Sequence, residues 1–219
     1  MPDSDPDPAP DLDAGAFGPW LRMLTAALDG EADAEVPCGS CTACCTSSQF
    51  VHIGPDEVDT LAHVPRALQF PAPGLPEGHV LLGYDERGHC PMLVDGACSI
   101  YAHRPRTCRT YDCRVFPAAG VEPEGDKAQI AARAGRWRFA HPTSDDRARH
   151  DAVRAAARWV EGHGDLLPDE ARPRTPSQLA VAAVEAHGAF LGGAPQATEV
   201  AVQLRRRRGA PPRSPGRGA

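Results

Sequence analysis

Aromatic residues are scarce in this 219-residue chain, and lysine is almost absent. Phe, Trp and Tyr together make up 5% of the residues, which favours a modest hydrophobic core joined by many turns. Lys127 is the single lysine, and we ascribe the arginine bias to coding preference rather than to function. The net charge is −6, so the chain lacks the basic field expected of a nucleic-acid-binding protein. We therefore expect no nucleic-acid partner.

The segments that direct a chain to or through a membrane are also missing. The stretch MPDSDPDPAPDLDAG is acidic and rich in proline, whereas a secretory signal needs a basic start and an apolar run. No apolar run in the sequence approaches the length that spans a bilayer. We expect no membrane association and a location in the cytoplasm, where thiols stay reduced and disulfides are rare.

The remaining pattern predicts an α+β fold. A small, irregular, cysteine-rich metal-binding module with short antiparallel strands packs with an N-terminal helix and with C-terminal helices. We divide the chain into a disordered acidic tail (1–13), a cysteine-cluster domain with an N-terminal helix (14–120), a helical C-terminal segment (127–193) and a disordered Arg-rich tail (205–219). Alternating Asp and Pro cannot bury a core, which is why the first segment is expected to stay disordered.

Short elements are predicted around the cysteines. Apolar residues at helical spacing predict an amphipathic helix over 14–30. QFVHIG (49–54) alternates as a strand does, and PDEVDTLAHV (55–64) has a proline and acids suited to a first helical turn. The segment 79–101 is typical of an antiparallel meander with turns at DERG and VDGA, and 104–113 has room for one helical turn.

Two helices with clear start signals are predicted towards the C-terminus. The segment 144–164 is rich in alanine and carries Ser144 or Asp145 as its N-cap. The segment 175–193 carries Thr175 as its N-cap and a proline at the first helical position. We expect the two helices to pack on the cysteine module or on each other.

Cysteine clustering is the strongest signal in the sequence. All eight cysteines lie in one part of the chain, and we assign all eight as candidate metal ligands: Cys38, Cys41, Cys44, Cys45, Cys90, Cys98, Cys108 and Cys113. Eight thiols in a reducing compartment more often serve metals or catalysis than disulfides. Cys113 is also compatible with a spare thiol beside the site.

The run CGSCTACC (38–45) has a geometric reason to bind metal. A Cys-x-x-Cys turn brings two sulfurs to one side, and a tetrahedral zinc accepts sulfurs at about 2.3 Å. Successive side chains diverge, so the adjacent Cys44 and Cys45 either face different metals or include one bridging ligand. Eight thiolates then divide naturally into two four-sulfur sites.

The identity of the metal stays open between zinc and iron. Closed all-cysteine sites suit Zn²⁺ or an iron–sulfur cluster, and Cys-x-x-Cys-x-x-Cys is also the spacing of bacterial ferredoxin-type clusters. A ferredoxin run continues with Cys-x-x-x-Cys-Pro, whereas this run continues at once with Cys45. His89 and His103 are alternative ligands that lie between the cysteine motifs.

These motifs resemble the YkgJ-type cysteine-cluster family, also called the CxxCxxCC family. CGSCTACC, CPML and CSIYAHRPRTCR together match its pattern over about residues 38–116. The resemblance implies that zinc or iron is chelated, and it names no reaction. A longer branch of the family is linked to lysine N-methylation of flagellin, but this chain shows no recognisable S-adenosylmethionine loop.

Polar residues beside the cysteines are candidates for supporting roles. Arg104, Arg106 and Arg109 are placed to neutralise a thiolate-rich centre or to donate hydrogen bonds to sulfur, although Arg106 suits a salt bridge to a surface acid equally well. Pro105 fixes the start of a turn that aims Cys108. Asp112 is expected at the surface rather than beside the metal.

Three functions remain compatible with the sequence. The favoured one is a protein that binds structural or stored metal. The second is an iron–sulfur enzyme for redox chemistry or methyl transfer, and the third is a zinc-stapled module that contacts protein or nucleic acid. The sequence shows no nucleophile–base pair or phosphate loop, and all-thiolate zinc has no open position for hydrolysis.

Overall fold

The computed structural model describes residues 9–34, 36–169, 171–193 and 195–208, with side chains up to residue 204. Its helices are α1 (Phe17–Leu28), α2 (Val58–His63), α3 (Arg106–Thr110), α4 (Val115–Ala119), α5 (Ala128–Ala134), α6 (Ser144–Gly162), α7 (Pro176–Ala186) and α8 (Ala197–Arg208). Short strands lie between them, so the predicted α+β class is confirmed. None of the helices in these residues is long and apolar enough to cross a bilayer.

Seven short strands form three small sheets in the described part of the chain. They are β1 (Leu12–Ala16), β2 (Val51–Ile53), β3 (Gln69–Pro71), β4 (Val80–Leu82), β5 (Leu93–Val94), β6 (Ala97–Cys98) and β7 (Trp137–Ala140). β4 pairs antiparallel with both β2 and β3, and β5 pairs antiparallel with β6. β1 and β7 pair in parallel. The structure therefore contains the predicted antiparallel strands and, in addition, one parallel pair.

The hairpin of β5 and β6 turns at Asp95 and Gly96, which lie in the predicted VDGA turn. Both residues have positive φ, at 49° and 76°, as a two-residue hairpin turn requires. At the predicted DERG turn, the Gly88 N–H donates to the Asp85 carbonyl at 2.9 Å. The chain there does not return as a strand beside β4, because β4 pairs with β2 and β3 instead.

The larger of two hydrophobic cores is helical. α1, α4, α6, α7 and α8 contribute to it, and Phe17 and Phe116 are almost completely buried there. α6 and α7 meet through small side chains, since Ala156 and Ala180 are fully buried. Small residues let two helices approach closely, so this core needs few aromatic residues.

The smaller core lies under the three-stranded sheet. Its buried residues are Ile53, Val64, Leu82, Met92 and Ile100, and partly buried cysteines pack against them. Five buried apolar residues are few for a segment that runs from residue 50 to residue 105, because ordering the backbone costs roughly 1–2 kcal/mol per residue. This side of the molecule therefore depends on additional stabilisation.

A buried ion pair ties the helical core together. Arg114 donates to the Asp112 carboxylate from Nε at 3.0 Å and from Nη2 at 2.8 Å, and the Trp20 indole N–H donates to the same carboxylate at 2.8 Å. Asp112 is 3% exposed. The prediction of a surface aspartate is wrong, because neighbouring Arg114 and distant Trp20 satisfy the carboxylate in the interior.

The ends of several elements differ from the sequence-based prediction. The N-cap of α6 is Thr143, not Ser144 or Asp145, because the Thr143 hydroxyl accepts from the Asp146 N–H while Asp146 accepts from the Thr143 N–H. Thr175 is the N-cap of α7, as predicted.

Parts of both predicted tails are ordered. Leu12 and Asp13, assigned to the tail 1–13, belong to β1, where Leu12 pairs with Trp137. At the other end α8 continues to Arg208, so the first residues of the segment 205–219 are helical. The rest of the two tails, 1–8 and 209–219, lies outside the described residues.

Candidate metal centre

All eight cysteines lie in the described part of the chain, and all eight are free thiols. Cys113 is buried, Cys38 is exposed, and the other six are half-buried. Each has a backbone placed by a short element or a turn rather than by a long helix. The absence of disulfide pairs leaves every sulfur available as a ligand.

Two thiols belong to or pack against the helical core, and two more interact electrostatically with them. We name these four the helical thiol set: Cys38, Cys41, Cys44 and Cys113. Cys113 is part of the buried helical core, and Cys41 packs against that core. The Cys41 N–H donates to the Cys38 carbonyl at 3.0 Å, and Gly39 between them has φ +56°, which glycine adopts without strain. Arg133 in α5 donates to the Cys38 carbonyl at 3.3 Å. The turn is thereby anchored on α5.

Two of the other four thiols pack against the smaller core, and the remaining two interact electrostatically with them. We name these four the sheet thiol set: Cys45, Cys90, Cys98 and Cys108. Cys90 and Cys98 pack against the smaller core. The Cys90 N–H donates to the Cys45 carbonyl at 2.7 Å, which joins the first cysteine run to the second. Cys98 lies in β6 and Cys108 in α3.

The thiols that act most strongly on each cysteine electrostatically divide the eight cysteines into the same two sets. The pKa of Cys108 is raised by burial to about 12, with further increases from Cys45, Cys90 and Cys98. No member of the helical thiol set contributes among these causes. The sheet thiol set is therefore grouped by charge as well as by packing.

The helical thiol set shows the matching pattern. Burial raises the pKa of Cys113 to about 11, with smaller increases from Asp112, Cys38 and Cys41. Burial also raises the pKa of Cys44, and the largest contribution from another thiol comes from Cys113. Cys44 and Cys113 therefore hold their protons at neutral pH when no ion replaces them.

The two sets meet at Cys44 and Cys45. Both residues lie in the 3-10 helix Ala43–Thr46. The pKa of Cys45 is raised by burial to about 11, and the next contributions come from Cys90 and Cys98, ahead of Cys41 and Cys38. The strongest thiol neighbour of Cys44 is thus Cys113, whereas the strongest thiol neighbours of Cys45 are Cys90 and Cys98.

No three cysteine sulfurs in the described chain lie within 4.8 Å of one another, since the triplet of ligand-type side chains that meets this limit is Asp59, His63 and His103. Sulfurs bound to one tetrahedral zinc lie about 3.8 Å apart, as follows from zinc–sulfur bonds of about 2.3 Å. Closing either set around an ion therefore requires its sulfurs to move closer together.

One N–H donor and one positive charge favour thiolate at these positions. The Trp137 indole N–H donates to the Cys113 sulfur at 3.2 Å. Arg104 has a buried Nε without a hydrogen-bond partner in the described residues, and its charge lowers the pKa values of Cys108 and Cys38 against the larger effect of burial. Donors of this kind suit a thiolate-bound ion, which carries excess negative charge. The donor set therefore fits a zinc or iron centre.

The other two arginines have partners of their own. Arg106 forms a salt bridge with Asp56, which is the alternative predicted for it. Arg109 pairs with Asp33 at 3.2 Å and donates to the Arg104 carbonyl at 2.7 Å. Their charges hold α3 in place, and Glu57 adds to this by accepting from the Arg106 N–H at the start of that helix. Sequence reasoning missed Glu57 and Trp137, because both contacts join distant parts of the chain.

Replacing the indole donor tests the support of the helical thiol set. In Trp137→Phe the ring is retained in part but the N–H to Cys113 is lost, and we expect the affinity of this set for metal to fall about 10–100-fold. The affinity is measured by competition with a chromophoric chelator. Trp159→Phe in α6, where the indole stacks on His163, is the matched control. Equal affinity in the two variants would remove Trp137 from the site.

The two histidines predicted as alternative ligands have different surroundings. His89 lies beside Cys90, and its N–H donates to Asp85 at 2.8 Å. His103 contacts Asp59 and stacks on His63 rather than joining a thiol set.

A comparison with family models gives one match. Residues 37–132 match the CxxCxxCC family, described as a "Putative zinc- or iron-chelating domain". The matched segment holds all eight cysteines and ends within α5. No curated protein and no solved structure matches the chain.

Proposed function

Because residues 37–132 carry a CxxCxxCC domain, we propose that this protein binds metal at two centres, each held by four cysteine thiolates. The helical thiol set holds one centre, and the sheet thiol set holds the other. The metal is zinc or iron, the iron either as single ions or in iron–sulfur clusters. The expectation of zinc or iron chelation from the resemblance agrees with the family description.

One observation carries this proposal: the eight thiols divide four and four. Packing assigns Cys113 to the helical core and Cys90 to the smaller core, and the electrostatic neighbours of Cys108 fall within the same division. Structural metal sites with all-cysteine ligation use four sulfurs. Spare buried cysteines have no reason to occur in two groups of this size.

The metal's main contribution is structural. A bound four-thiolate ion contributes roughly 10–16 kcal/mol of apparent folding free energy in small zinc domains, which suits a segment with as few buried residues as the smaller core. Two clefts of about 630 and 650 Å³ run along α6, and no cysteine lines either of them. Neither of these two clefts therefore reaches the thiols.

Metal content and a spectrum of anaerobically purified protein test the proposal. Elemental analysis is expected to return about two zinc or iron ions per chain if the centres are mononuclear. Iron–sulfur clusters would instead give more iron, with broad visible absorption from sulfur-to-iron charge transfer. Zinc would leave the visible spectrum empty. A well-folded, metal-free protein that is indifferent to strong chelators would refute the proposal.

A further inference from the structure

A second group of ligand-type side chains lies outside both thiol sets. Asp59 and His63 are one helical turn apart on α2, so their side chains share a face, and His103 ends the 3-10 helix Tyr101–His103, which contacts α2. One ligand atom from each of the three residues lies within 4.8 Å of the other two. We propose that these three residues form a surface site for one divalent first-row transition-metal ion, such as Zn²⁺ or Ni²⁺.

The contacts among the three residues already bring the donor atoms together. His103 Nδ1 lies 2.7 Å from Asp59 Oδ2, and His63 Nδ1 lies 3.7 Å from Asp59 Oδ1. Imidazole nitrogen and carboxylate oxygen are common ligands of these ions, at about 2.0–2.2 Å for zinc. An incoming ion would displace the proton that His103 and Asp59 share.

One side chain must turn for the ion to bind. The rings of His63 and His103 are stacked 3.5 Å apart and nearly parallel, at 6°, whereas a bound metal lies in the plane of each imidazole. The His63 side chain is 41% exposed, so solvent gives it room to tilt out of the stack. Its Nδ1 gives up a contact with the Asp59 carbonyl, now at 2.8 Å, in exchange for the ion.

The charges around the group are suited to a cation. The hydrogen bond from His103 lowers the pKa of Asp59 below its usual range, so Asp59 is a carboxylate at neutral pH. Arg109 is the nearby cation acting on Asp59, and its guanidinium pairs with Asp33. The arginine's repulsion towards an ion is therefore offset by a second carboxylate.

The donors of this site differ in kind from the thiols. Soft thiolate ligands prefer soft metal ions, whereas imidazole nitrogen binds zinc, copper and nickel well. Two exposed ligands and one half-buried ligand leave coordination positions to water. The site is therefore expected to exchange its ion readily, and it requires no metal at the cysteines.

Titration with Ni²⁺ tests the site in the full chain as purified, after its metal content has been measured. Calorimetry is expected to show one Ni²⁺ bound per chain in addition to the metal already present. His103→Ala is expected to weaken this binding at least tenfold. Asp59→Asn, which changes an exposed side chain and should leave the fold intact, is expected to have the same effect. Metal analysis after the titration checks that the original ions remain.

Two histidine variants serve as controls. His163→Ala removes an exposed histidine of similar accessibility, and His79→Ala breaks the other histidine pair of this region, in which His52 and His79 are 2.9 Å apart. Both are expected to bind Ni²⁺ as the unaltered chain does. In NMR spectra the paramagnetic ion should broaden the imidazole signals of His63 and His103 first. Unchanged binding in His103→Ala, or broadening centred on His52 and His79, would overturn the proposal.

The two proposals can fail independently of each other. The proposed Ni²⁺ site is tested by its histidine and aspartate variants. The proposed thiolate centres are tested by the metal content of the purified protein. A metal-free protein that still binds one Ni²⁺ through His103 would refute the proposed function and support this site.

Discussion

Cys38→Ser combined with Cys113→Ser is expected to lower bound metal from about two ions per chain to about one. Cys108→Ser combined with Cys113→Ser is expected to lower it to nearly none. Both double variants lose two thiols, but the first pair comes from one set and the second pair from both sets. A four-ligand site that has lost a thiolate holds its ion far less tightly, so the two variants differ by a whole ion. Elemental analysis of purified protein measures the difference.

The control for this comparison is Ser40→Ala, which alters an exposed residue of the same cysteine run without removing a sulfur. It should retain the full metal content. If both double variants lose the same amount of metal, the division into a helical and a sheet thiol set is incorrect. Loss of all metal in Cys38→Ser with Cys113→Ser would have the same consequence and would point to one shared cluster.

Removing the metal is expected to unfold one side of the molecule. The smaller core has five buried apolar residues, so a chelator should release the strands β2 and β4, whereas α6 and α7 keep the packing of their own helical core. Hydrogen exchange measures this difference. Amides of Val51–Ile53 and Val80–Leu82 should exchange at least tenfold faster after chelation, while α6 amides should change little. Adding zinc back to the reduced protein should restore protection.

Metal binding should release protons from the cysteine thiols. Burial raises the pKa of Cys45 to about 11 and that of Cys108 to about 12, so these thiols are protonated at pH 7 when metal-free. Each ion that binds must displace their protons, so apparent affinity rises with pH and falls on acidification. A pH indicator in weak buffer measures the protons released. Equal loss of protection in strands and helices, or binding without proton release, would contradict this account.

Features fixed by local sequence were predictable. Thr175 caps α7 as expected because its hydroxyl needs only the N–H of Gln178, three residues away. The cap of α6 was misplaced by one or two residues because Thr143, Ser144 and Asp145 are all good caps. Asp146 decides among them, since its carboxylate also accepts from Gly18 in α1, a contact that no local pattern contains.

Features that join distant segments were not predictable. β7 pairs with β1, so Trp137 lies opposite Leu12 although the two residues are far apart in the sequence. Neither strand has a sequence pattern that identifies it on its own. The expectation that Cys44 and Cys45 diverge follows from their adjacency alone. The membership of each thiol set depends on tertiary packing, since nothing in the spacing of Cys113 assigns it to Cys38 and Cys41 rather than to Cys108.

The peptide bond between Cys44 and Cys45 has a further consequence. Both residues lie in one four-residue turn, so the first ion to be captured fixes the backbone on which the second depends. The conformational entropy of that turn is lost once and not twice. Uptake should therefore be cooperative, so that the second ion binds more tightly than the first, although a chain with only one intact thiol set still holds its single ion.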